Sequence, residues 1–197
     1  MKKILVLFSH PNFEKSRANS ILIDKIKDKE GVTFHDLYEC YPDFNVDVAA
    51  EKELLNSHDV IIWHHPLYWY SCPPLMKQWM DMVLEFGWAY GPNGNALYGK
   101  KCLNVITTGG TRAVYCKEGT NSFSVNEFLR PFEQTANLCG MYYYPPFTVM
   151  GTHKIDEESL HNHAHKYNNL LDLLKQDLAL EEITKFSFIN DIPQLNT

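Results

Sequence analysis

Residues Leu103–Tyr115 read LNVITTGGTRAVY, and the fold turns on this stretch. Leu103, Val105 and Ile106 make a short apolar run with two β-branched members, as expected of a buried strand. Thr107, Thr108, Gly109 and Gly110 follow at once. Two hydroxyls and two glycines at a strand's carboxyl end let the backbone approach a flat polar ligand, because no Cβ stands in the way. In open parallel α/β sheets, ligands bind at that edge. An ordinary strand-to-loop turn has the same composition. Tyr115, five residues past the second glycine, reads by spacing alone as a packing tyrosine within reach of whatever sits there. Two loops upstream favour a ligand.

The first follows Lys2–Phe8 (KKILVLF), a charged lead and five apolar residues without alternation, as in a central strand covered on both faces. Its loop, Ser9–Arg17 (SHPNFEKSR), leads into a helix from Ala18 to Ile26 with Leu22, Ile23 and Ile26 on one face and Ser16 as the N-cap. Strand, polar loop and helix N-terminus make a ready anion site; His10 and Ser16 add donors and Arg17 a charge. A structural role for His10 is the plainer alternative.

The second loop, His65–Pro74 (HPLYWYSCPP), follows a third strand over Asp59–His64. Tyr68, Trp69 and Tyr70 suit stacking on a planar ring or a subunit interface, or they roof the core. Pro73 and Pro74 start a helix with Leu75, Met76, Trp79, Met80 and Val83 on one side. His64-His65 invites a metal reading, but adjacent strand residues point to opposite faces, so no metal site is expected.

Gly31–Leu37 reads as an edge strand and Tyr38–Asn45 as a loop, with Asn45 capping a helix over Val46–Ser57. Asp43, Asp47, Glu51 and Glu53 read as that helix's solvated face. Phe86–Gly99 is a long irregular loop, functional or interfacial. Ser124-x-x-Glu127 forms a capping box, Pro131 restarts or kinks the helix, and Gly140 ends it. Met141–Met150 holds a fifth strand, placed at an edge by Pro145 and Pro146. Asp156–Leu174 is a closing helix; its His161 and His165 lack a third ligand at metal-site spacing.

At 197 residues the chain is long enough for one domain with a full core, here residues 1–175, followed by a tail over 176–197. Net charge is −6 with no basic run, which argues against nucleic acid as a partner. No apolar run approaches the ~20 residues of a membrane span. The five cysteines, without a CxxC, read as reduced thiols, so a cytoplasmic location is expected. Strands alternate with helices, which predicts an α/β fold: a doubly wound five-stranded parallel sheet of order 2-1-3-4-5 with helices on both faces. The three distinctive loops then share one edge. The first suits a phosphate and the other two a planar ring system, together a flavin nucleotide. Neither GxGxxG after the first strand nor GxxxxGK[ST] is present.

Five motifs carry a family resemblance over residues 1 to about 175. They are Ser9-His10-Pro11 with Ser16-x-Ala18-Asn19, Leu37-Tyr38…Tyr41-Pro42-Asp43-Phe44, His65-Pro66-Leu67-Tyr68-Trp69-Tyr70-Ser71…Pro74-Leu75-x-Lys77, Gly87–Gly91 and Thr107–Gly110. The chain resembles the flavodoxin-like NAD(P)H:quinone oxidoreductases, above all the small bacterial ancillary subunits of glutathione-gated potassium efflux systems. The resemblance implies bound FMN, with FAD as the alternative, NAD(P)H as co-substrate, a quinone or similar small electrophile as acceptor, and a homodimer. It places His10, Ser16, Arg17, Ala18 and Asn19 at the flavin phosphate and ribityl end. It places Pro66, Leu67, Tyr68, Trp69, Tyr70, Thr107, Thr108, Gly109 and Gly110 at the isoalloxazine edge. Tyr115 matches a tyrosine that assists hydride transfer. Its partner in the family is often a histidine six residues on, where this chain has Asn121, which cannot relay a proton near neutral pH. A potassium efflux transporter is an implied partner, which would bring the protein to the inner face of the membrane. Arg17 and Arg112 are candidates for a cofactor 2′-phosphate.

Overall fold

The computed structural model describes residues 1–176 and 180–195. The sheet is built from β1 (Ile4–Phe8), β2 (Val32–Asp36), β3 (Val60–Pro66), β4 (Lys101–Thr108), β5 (Tyr142–Tyr143) and β6 (Phe147–Met150). All pairings are parallel and the order is β2-β1-β3-β4-β5, with β6 also on β4. Pro145 and Pro146, which cannot donate to a ladder, split the fifth position into two short strands. The expected order therefore holds, with an interrupted last strand.

Alternation along the central strands sends side chains into two cores. Ile4, Val6 and Phe8 join α1 (Arg17–Asp24) and α7 (Glu157–Leu174) on one face. Leu5 and Leu7 join α3 (Val48–Asn56), α4 (Pro74–Val83) and α6 (Arg130–Leu138) on the other. Each fully buried Leu or Ile contributes about 1.5–3 kcal/mol, so the two cores dominate the stability.

Local signals explain most helix ends. Ser16 caps α1 by accepting from the Asn19 N–H at 3.3 Å. The capping box forms at α5 (Val125–Phe128), Pro131 sits in the first turn of α6, and Gly140 closes that helix at φ +69°. Two expectations fail between β2 and β3. Asp36 accepts from the N–H groups of Tyr38 and Glu39 and starts a one-turn helix, α2 (Leu37–Cys40), where a loop was expected. The cap of α3 is Asp47, with Asn45 outside it. Glu51 stands one turn before Leu55 on the buried stripe of α3, so it is buried and not on a solvated face.

Beyond α7 the chain does not trail away. Ile183 at the end of α8 (Leu180–Ile183), then Ile189, Ile192 and Leu195, are buried in the α1–α7 core. The Asn190 side-chain amide accepts from Thr148 N–H at 2.8 Å and donates to Thr148 C=O at 3.0 Å, occupying β6 as a neighbouring strand would. Residues 177–179, 196 and 197 of the expected tail lie outside the described residues. Among the described residues no helix is long and apolar enough to cross a membrane.

Candidate functional site

The loops after β1, β3 and β4 meet at the carboxyl edge of the sheet and enclose two adjoining cavities. The first, of about 540 Å³, holds ten of the sequence-predicted residues: His10, Ser16, Arg17, Ala18, Asn19, Pro66, Leu67, Tyr68, Thr107 and Gly109. The second, of about 400 Å³, holds Trp69, Tyr70, Gly110, Tyr115 and Asn121, and shares Leu67 with the first. Thr108 lines neither: it is buried and its hydroxyl donates to Gly110 C=O at 2.7 Å, tightening the glycine turn.

The first cavity is a donor-rich cradle. Ser20 N–H is the first in α1 to reach a helical acceptor, and Asn19 N–H goes to the cap, so those of Arg17 and Ala18 have none within the helix. His10 Nδ1 accepts from Asn12 N–H at 3.1 Å, which leaves Nε2–H as its donor. Burial lowers the His10 pKa, a backbone hydrogen bond opposing, so the ring is neutral at neutral pH. Asn19 Nδ2 donates to Ser16 Oγ at 2.9 Å and to Thr107 Oγ1 at 3.2 Å. Behind it, His64 Nε2 lies 3.1 Å from Asn19 Oδ1, and Tyr167 OH 3.4 Å from His64 Nδ1.

His65 projects from the opposite face, as strand alternation requires. Tyr143 O–H donates to Asn104 Oδ1 at 2.7 Å, and Asn104 Nδ2 to His65 Nε2 at 2.9 Å. His65 Nδ1–H then donates to Pro66 C=O at 3.0 Å, bracing the start of the aromatic loop. Burial holds the pKa of His64 at about 3 and that of His65 at about 4.

The aromatic loop does not roof the core. Trp69 is 92% exposed, with Tyr68 and Tyr70 about half so. Trp69 and Tyr70 take left-handed φ of +48° and +63° in a tight turn closed by Ser71 N–H to Tyr68 C=O at 3.0 Å. Such φ values are costly for bulky side chains and cluster where loops carry function. The N–H groups of Trp69, Tyr70, Gly109 and Gly110 meet no acceptor among the described residues. Tyr70 O–H donates to Asn121 Oδ1 at 3.3 Å. Burial, then the neighbouring Tyr70, raises the Tyr115 pKa, so its phenol stays protonated. Glycine at 110 is what admits that ring: a Cβ there would meet Val114 Cγ2 at 2.6 Å and Tyr115 Cε2 at 3.0 Å.

The two arginines are engaged by the protein itself. Arg17 lines the first cavity, but its guanidinium donates to Thr152 C=O at 3.1 Å and Ile155 C=O at 2.6 Å. Arg112 turns to the C-terminal segment, 3.9 Å from the Asp191 carboxylate and over the Phe188 ring. Both guanidiniums are thus held by groups of the protein itself. Sequence reading missed Asn12 and Lys15 of the first loop, and Thr152 and His153, which close the first cavity from the loop after β6. A Cβ on Gly109 would fall 2.4 Å from His153 Nε2. No motif marks that loop; only its place at the same sheet edge could have flagged it.

A donor-rich cradle at a helix start beside a glycine-lined, aromatic-flanked slot, in a doubly wound parallel sheet, defines a flavodoxin-like α/β protein. Residues 2–171 match the family described as Flavodoxin-like fold, and the chain belongs to it. The glutathione-regulated potassium-efflux ancillary protein KefG of Erwinia tasmaniensis is 41% identical over 86% of this chain and 92% of its own. General stress protein 14 from Treponema denticola, solved in complex with FMN, is 41% identical, covering 87% of this chain and 99% of that one, with TM-score 0.84. An NADPH-quinone reductase from P. pentosaceus is 29% identical over 91% of this chain and 100% of its own, with TM-score 0.79. A chain described as a tryptophan halogenase from Streptomycin violaceusniger matches as well: 42% identity, 85% and 97% coverage, TM-score 0.83. Names diverge among these relatives, three of them at 41–42% identity.

Proposed function

We propose that the protein is an FMN-dependent NAD(P)H:quinone oxidoreductase. The observation that carries this reading is the pair of adjoining cavities that share Leu67, one ending in helix donors and the other flanked by unpaired backbone N–H groups and exposed aromatics. A phosphate monoester fits the first: Arg17 N–H, Ala18 N–H, Ser16 O–H and His10 Nε2–H supply donors, and the exposed Lys15 on the same lining supplies a positive charge. A planar, partly polar ring fits the slot between Pro66–Tyr70 and Thr107–Gly110. When bound, the flavin takes hydride from NAD(P)H and gives two electrons to a quinone.

The protein's part is positioning and charge. The N–H groups of Trp69, Tyr70, Gly109 and Gly110 suit a ring edge that gains negative charge on reduction. Trp69 offers a face for the incoming nicotinamide or quinone, and the Tyr115 phenol a hydrogen-bond donor beside it. Asn121 orients Tyr70 and holds no transferable proton. One open slot for both substrates implies alternating occupancy and ping-pong kinetics. The exposed aromatic turn also supports a homodimer with the site near its interface. The first experiment is the visible spectrum of the purified protein, with chromatography of the heat-released chromophore: FMN is expected, FAD would point to a longer reductase type, and failure to take up either flavin would overturn the reading. Parallel double-reciprocal lines are then expected, and intersecting ones would reject the shared slot.

The similarity to KefG favours a second reading, a cytoplasmic regulatory subunit docked on a potassium efflux transporter at the inner membrane face. Co-purification with such a transporter, undiminished by Tyr115→Phe, would favour it over the enzyme alone.

A further inference from the structure

Glu51 is a carboxylate buried to 1% exposure and lines neither cavity. Three donors converge on it: Trp79 Nε1–H at 2.7 Å, Tyr41 O–H at 2.5 Å and His35 Nε2 at 2.7 Å. Its pKa is lowered: burial alone would raise it, and the hydrogen bonds from His35, Tyr41 and Trp79 outweigh that. An ionised carboxylate only accepts, so the proton of a neutral His35 sits on Nε2. The lone pair on His35 Nδ1 is therefore free, and it faces Cys40 Sγ at 3.8 Å. Cys40 is exposed, at the end of α2, and among the five thiols it is the one given an imidazole partner. Thiol, base and a fixed carboxylate behind the base stand in the order that activates a nucleophile.

We propose that Cys40 is a covalent modification site for small uncharged electrophiles of the α,β-unsaturated carbonyl class, with His35 as its base and Glu51 holding that base. The thiol proton passes to His35 Nδ1, and the sulfur electron pair forms a C–S bond to the β-carbon. The C=C π pair shifts to form a double bond between the α-carbon and the carbonyl carbon, the C=O π pair moves onto oxygen, and the imidazolium returns its proton to the α-carbon of the resulting enolate. Atoms and electrons balance without a further reactant. Burial, then Glu51, Asp36 and Glu39, pushes the Cys40 pKa up, so the resting group is a thiol and needs the base. The same carboxylates disfavour anionic reagents. The site does not depend on the flavin reading.

The experiment follows N-ethylmaleimide labelling of the whole protein at about pH 7, with peptide mass mapping over time. Cys116, whose thiol donates to Ala113 C=O at 3.3 Å, serves as the internal clock. Cys40 is expected to label at least about tenfold faster than Cys116, and His35→Gln to erase that ratio. An anionic carboxyalkyl maleimide should lose most of the advantage. Glu51→Gln should act as His35→Gln does; if its loss of a buried charge prevents folding, the half-buried His35 carries the test alone. Equal rates at Cys40 and Cys116, or a ratio unchanged in His35→Gln, would overturn the proposal.

Discussion

His64 Nε2 and Asn19 Oδ1, 3.1 Å apart in the buried interior, set the direction of the hydrogen bonds that run from the core to the cleft floor. Asn19 spends its amide protons on Ser16 and Thr107, so its oxygen must accept and His64 must carry the proton on Nε2. Tyr167 then donates to Nδ1. Ser16 Oγ accepts twice from Asn19, from the backbone N–H and from the side chain, which turns its own proton out toward the cavity. His64→Leu should leave Asn19 Oδ1 buried and unpaired, a cost of about 1–3 kcal/mol. We expect about tenfold or greater loss of FMN affinity in a fluorescence-quenching titration, with riboflavin, which lacks the phosphate, little changed. Equal loss for both ligands would mean that the relay does not act through Ser16.

The two neutral histidines make the fold acid-sensitive. Their folded pKa values, about 3 and about 4, lie below the unfolded value of about 6.5. Between these limits the unfolded chain binds more protons, so stability falls as pH drops below about 6.5, and the loss levels off once pH passes the folded values. Urea midpoints should decline through that window and be flat above it. His65→Gln should flatten the slope; an unchanged slope would assign the effect to other groups.

At the second cavity, Tyr115→Phe keeps the ring against Gly110 and removes one donor. Quinone reduction should fall about tenfold with flavin content unchanged. Asn121→His should add a titration of kcat/KM between about pH 6 and 8 that the natural protein lacks. A natural profile that already bends there would show another group relaying the proton.

Gly109→Ala drives a methyl to 2.4 Å from His153 Nε2. Flavin binding should weaken, and the double change Gly109→Ala with His153→Ala should restore much of it. A double variant as weak as the sum of the singles would mean that the two do not communicate.

The sheet order and the meeting of three loops were legible because each central strand ends in a short, unusual loop, and topology does the rest. Glu51 was not legible: a carboxylate on a helix reads as solvated, and the three donors that let it be buried, from His35, Tyr41 and Trp79, meet it only in the fold. Nor were the roles of Arg17 and Arg112, whose partners lie up to 138 residues away in sequence. The Thr152–His153 wall is likewise set by where a proline-broken strand resumes, which composition does not reveal.

That broken strand sits at the rim of the sheet, where unsatisfied backbone invites a second chain to add itself. Asn190 answers with one amide group, and Pro146 C=O is taken by Ile189 N–H at 3.1 Å. The final segment thus satisfies the backbone that an added strand would otherwise pair with. A chain cut after Gln176 would bare that rim together with the core surface that Ile183, Ile189, Ile192 and Leu195 cover, and it should sediment as a concentration-dependent polymer.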